Sequence, residues 1–125
     1  MRDISTKSTK EFNDEGLVVL VTVPNKEDGI RIAESLVSQR LAACVNIIPG
    51  IESIYRWEGR IARDEEVLLL IKTTAERFPE LELQVMQLHS YSVPEVVAVE
   101  IKQGSSAYLK WLRDSTLPDG DPKQD

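Results

Sequence analysis

One cysteine and one histidine are the only thiol and imidazole donors in this chain of 125 residues. A lone cysteine excludes an intrachain disulfide and points to a reducing compartment. Transition-metal sites gather several nitrogen or sulfur donors, which a single subunit does not have. There is no block of basic residues: 15 Lys and Arg stand against 21 Asp and Glu, for a net charge of −6. That balance argues against nucleic acid as a partner, because a phosphate footprint needs clustered Lys and Arg. No run approaches the roughly 18 apolar residues of a membrane-spanning helix, so no membrane partner is expected. The chain has no G-x-x-x-x-G-K, G-x-S-x-G, C-x-x-C or H-E-x-x-H motif, and with them go the common nucleotide loops, serine elbows, redox pairs and zinc helices. It has no internal repeat and no low-complexity segment.

What is present is an apolar fraction of 42% in a length that fits one domain. The chain is organised around the stretch from Leu41 to Thr74. Leu41 to Glu58 is rich in β-branched and aromatic residues, Glu58-Gly59 supplies a tight turn, and Arg60 to Thr74 returns. This predicts one long hairpin, with Pro49-Gly50 as a bulge or bend in its first arm. Each arm of about 15 residues would run roughly 50 Å at strand rise. A compact chain of this length is only about 35 Å across. The distal half must therefore bend back or reach another subunit.

Residues 1–15 are polar and mixed in charge and read as a flexible N-terminal arm. With Asp3, Glu11, Asp14 and Glu15 and no apolar core, they resemble neither a signal nor a transit peptide, so a cytoplasmic location is expected. Leu17 to Val23 is apolar at all but one position, the mark of a strand covered on both faces. Asn25 caps a helix on which Gly29, Ile32, Ala33, Leu36 and Val37 form the apolar face and Ile30 is partly exposed. Gly there costs roughly 0.5–1 kcal/mol against Ala, so Gly29→Ala would stabilise if there is room for a methyl. Val67 to Ile71 again lacks alternation. Pro79 opens a second helix with Phe78, Leu81, Val85 and Leu88 as its stripe and His89 at its end. Val93 to Lys102 is a further strand, and Ser105 or Ser106 caps a short helix carrying Tyr108, Leu109, Trp111 and Leu112. Residues 16–114 form the domain and 115–125 a flexible C-terminal tail.

The order is β-α-β-β-α-β plus a terminal helix. This is an α+β, ferredoxin-like arrangement, with an antiparallel sheet and two helices on one face. Two strands ask for cover on both faces, and two helices cover only one. The remaining apolar face implies self-association.

Leu41-Ala42-Ala43-Cys44-Val45-Asn46, Ser53-Ile54-Tyr55-Arg56-Trp57-Glu58-Gly59, Ile71-Lys72-Thr73-Thr74 and Tyr108-Leu109-Lys110-Trp111-Leu112 together resemble the signature of the CutA family, the divalent-cation tolerance proteins. The likeness covers roughly Leu17 to Arg113. It implies a homotrimer whose sheets face inward and whose hairpins pair with neighbouring edges. It also implies a non-enzymatic role in divalent-metal tolerance, with copper or another divalent cation weakly bound. Bacterial members proposed to hold copper carry a Cys near the end of the first strand and a His-His pair before Pro-Tyr. Only the second His is matched here, by His89. Val21 or a neighbour replaces the Cys, Leu88 the first His and Ser90 the Pro.

His89 is thus the candidate metal ligand, against the plainer reading of a helix-end residue near the last carbonyls. Cys44 is expected to be a small inert core residue. Glu58, Asp64, Glu65 and Glu66 read first as a solvated acidic turn and second as weak oxygen donors for a divalent ion. The family's trimer also resembles that of the nitrogen-regulatory PII proteins, which bind small ligands between subunits. On that analogy Trp57, Glu58, Lys72 and Tyr91 are candidates for an inter-subunit cleft taking a small anion. A structural or partner-binding trimer with no small ligand is the remaining alternative.

Overall fold

The computed structural model describes residues 16–118. The expected arm 1–15 and most of the expected tail, 119–125, lie outside the described residues. The elements follow as β1 (Gly16–Val23), α1 (Lys26–Ser38), β2 (Cys44–Trp57), β3 (Arg60–Thr74), α2 (Phe78–Leu88), β4 (Val96–Glu100) and α3 (Ser106–Ser115). The four strands make one antiparallel sheet in the order β2-β3-β1-β4. This is the ferredoxin-like arrangement that the element order implied.

Local chemistry sets the ends of the helices. The Asn25 side chain accepts the Asp28 N–H at 2.8 Å and starts α1. Pro79 sits in the first turn of α2, where its missing N–H is no loss. Ser105 accepts the Tyr108 N–H at 3.3 Å and starts α3. At the other end of α2 the Arg31 guanidinium donates to the Leu88 carbonyl at 3.1 Å, serving an acceptor that the helix leaves without a partner.

One sheet face meets α1 and α2. Val19, Val21, Leu69 and Ile71 pack there with Ile32, Leu36, Leu81 and Val85, all fully buried. Each such side chain contributes about 1.5–3 kcal/mol relative to exposure. Gly29 lies against this layer. A Cβ built on it would stand 3.2 Å from Leu69 Cδ2 and 3.3 Å from Val23 Cγ2, so a methyl fits only if these side chains give by a few tenths of an ångström. Val37, assigned to the apolar face by its spacing, is 43% exposed because it falls at the edge of the buried arc. Ile30 is exposed, as its phase requires.

The opposite face carries Val18, Leu20, Leu68 and Leu70, which are only half-buried. Beside them Val97 is 48% and Val99 is 53% exposed. The described residues therefore cover one face of β1 and β3 and leave much of the other open. At one end α3 packs against β1 and β3, with Leu112 buried. Thr116 is also buried, its hydroxyl donating to the Leu112 carbonyl, so the packed chain runs past position 114.

Two differences from expectation have plain causes. β4 spans only Val96–Glu100, because β1 offers partners only from Leu17 to Val21 and residues 89–95 turn aside. Cys44 is not a core residue. It pairs with Lys72 in the ladder, which places it on the open face, partly exposed.

Candidate functional site

The hairpin extends past the sheet. β1 stops pairing with β3 at Val23↔Val67, whereas β2 and β3 pair on to Trp57↔Arg60. The pairs from Ile51↔Glu66 to Trp57↔Arg60 form a two-stranded ribbon about 23 Å long at strand rise. Its tip is a two-residue turn with Glu58 at φ 51° and Gly59 at φ 79°, both positive as a primed hairpin turn demands.

Pro49 and Gly50 sit where the register slips. Ile48 faces Leu68 and Ile51 faces Glu66, so two residues on β2 oppose one on β3. Gly50 takes φ 79° to allow it. Side chains alternate along a strand, so one extra residue moves everything beyond it to the other face. The slip turns Ser53, Tyr55 and Trp57 onto the face that carries Asp64 and Glu66. Glu65 and Arg63 point the other way, where the Arg63 guanidinium meets Glu52 at 2.9 Å.

A cavity of about 550 Å³ opens at the root of this ribbon. Tyr55, Trp57, Asp64 and Glu66 wall it from the hairpin, Thr22 from β1, and Tyr91, Ser92, Val93 and Glu95 from the segment before β4. No lysine, arginine or histidine lines it among the described residues. The Tyr55 hydroxyl donates to Asp64, and the Tyr91 hydroxyl donates to Glu66 at 2.7 Å. Both phenols are held above their ordinary pKa. For Tyr55 the hydrogen bond to Asp64 leads, with burial and carboxylate charge adding to it. For Tyr91 burial leads and the bond to Glu66 follows. Glu66 is itself only 8% exposed.

His89 locks the segment in place. It is buried, and its Nε2 lies 2.7 Å from the Thr22 carbonyl, which can only accept. Nδ1 in turn accepts the Tyr91 N–H at 3.1 Å. The ring is therefore neutral with its proton on Nε2, and both nitrogens are engaged. It stacks obliquely on Tyr91, with centroids 4.7 Å apart. The ring ties the end of α2 to β1 rather than capping the helix, whose last turn is closed by the His89 backbone N–H on the Val85 carbonyl.

Of the residues that the sequence singled out, the structure brings Trp57 and Tyr91 into one cavity with Asp64 and Glu66 of the acidic stretch, while Glu65 points to the other face. Glu58 stays at the exposed tip. Lys72 lies on the open face, its ammonium donating to Asn46 Oδ1 and 4.0 Å from Cys44 Sγ. Lys72 and the partner of Trp57 are twelve positions apart on β3, about 40 Å at strand rise. A cleft holding both would need two subunits. The neighbouring threonines do not form an anion cradle: Thr73 donates to the Leu41 carbonyl at 2.6 Å, and Thr74 accepts the Arg77 N–H at 3.3 Å. Tyr55 and Glu95 were not among the candidates, and the sequence did not group Asp64 and Glu66 with the aromatics. Counting outward from the turn in steps of two would have grouped Tyr55 with Trp57 and Asp64 with Glu66.

No three His, Cys, Asp or Glu side chains converge as metal donors among the described residues. A preformed multidentate site of the kind copper favours does not fit this protomer.

Fold and site define a ferredoxin-like α+β protein with an overlong hairpin rooted in an acidic, aromatic cavity. The chain belongs to the family described as CutA1 divalent ion tolerance protein, whose sequence pattern matches residues 17–115. It is 56% identical over 99 residues to the divalent-cation tolerance protein CutA of Thermus thermophilus, covering 79% of this chain and 96% of that protein. It is 55% identical over 100 residues to Protein CutA 1, chloroplastic, of Oryza sativa subsp. japonica, covering 80% of this chain but 56% of that protein. The solved Thermus thermophilus structure superposes with a TM-score of 0.80 at 54% identity, covering 81% of this chain and 98% of that one. The Oryza sativa CutA1 crystal structure gives 0.81 at 52% identity, with 85% and 97% covered.

Proposed function

We propose that this protein serves divalent-cation tolerance as a cytoplasmic, non-catalytic homotrimer that holds a divalent cation such as copper weakly. Membership of the CutA1 family carries the reading, since the Thermus relative is named for divalent-cation tolerance. The open apolar face of β1, β3 and β4 supports the assembly, and its exposed Val97 and Val99 ask for a partner surface. A non-catalytic role fits the separation of the nucleophile from the imidazole: Cys44 has Lys72 as its neighbour, and His89 is bound to Thr22.

Weak binding follows from the state of His89. Ligation at Nδ1 must displace the Tyr91 N–H, and ligation at Nε2 must displace its own proton from the Thr22 carbonyl. Either costs a hydrogen bond, about 1 kcal/mol, and leaves a backbone group without a partner. Titration calorimetry with Cu²⁺ tests this. The expected result is weak binding in the wild type, lost in His89→Ala. Tight binding that survives His89→Ala would reject the assignment and point to Cys44 or the acidic side chains.

A further inference from the structure

We draw no further inference here: the strongest candidate, the side-chain cluster of Cys44, Asn46 and Lys72 where β2 enters the sheet, lies on the open face that a second subunit would cover, and its lone cysteine has nothing beside it among the described residues that points to a ligand.

Discussion

At the scale of single residues, hydrogen-bond capacity decides what each polar side chain is free to do. His89 has two nitrogens and two partners, so it works as a strut. Tyr55 and Tyr91 donate hydrogen bonds to carboxylates, and burial holds Tyr108 above its ordinary pKa, with the Cys44 charge adding to it. All three tyrosines of the chain therefore keep their protons past the usual pH of 10.0 while folded. The unfolded chain releases them there. The stability these contacts supply is complete below pH 10 and is lost as pH rises through the folded values. An ultraviolet titration of the phenols should show a folded midpoint above 10.0 that returns to the ordinary value in urea. In Tyr91→Phe, stability should fall less steeply with alkaline pH than in the wild type. A folded midpoint at the ordinary value would contradict the hydrogen bonds to Asp64 and Glu66.

At the scale of elements, close packing tempers helix propensity in α1. Ala in place of Gly29 gains roughly 0.5–1 kcal/mol of propensity. Its methyl would meet Leu69 and Val23 closer than ordinary contact, in a fully buried layer. Overpacking costs typically 1–3 kcal/mol, so the net effect should be a lower Tm. Thermal denaturation of Gly29→Ala checks this, and a rise would show that the layer gives way. The elements themselves were legible in the sequence, because each is announced locally: Asn25 and Ser105 as caps, Pro79 in a first turn, Glu58-Gly59 as a turn and Pro49-Gly50 as a bulge. The site was only half legible. Trp57 and Tyr91 stand out as aromatics, and the turn register alone puts Trp57 on one face with Asp64 and Glu66. That Tyr91 comes beside them depends on the path of residues 89–95, which no local signal announces. Cys44 was misplaced for a similar reason. Its apolar neighbours suggested a core, and only the register with Lys72 shows which face it takes.

At the scale of the whole molecule, the protomer leaves its assembly surfaces open. Among the described residues, β2 and β4 are free edges of the sheet, the ribbon beyond Glu66 has no third strand, and the face bearing Leu20, Leu70, Val97 and Val99 has no helix over its middle. Open edges and apolar faces of this kind are surfaces that proteins cover by pairing with other chains. Val99 is half-exposed in the protomer, so Val99→Glu should cost the single chain little while placing a charge inside any sheet-to-sheet contact. The measurement that bears most directly on this account is therefore light scattering after size exclusion, at micromolar concentration, on the wild type and on Val99→Glu. The wild type should elute with three times the chain mass of 14.1 kDa, and the variant with a lower mass while still folded. A wild-type protein that runs as a folded monomer would contradict the account.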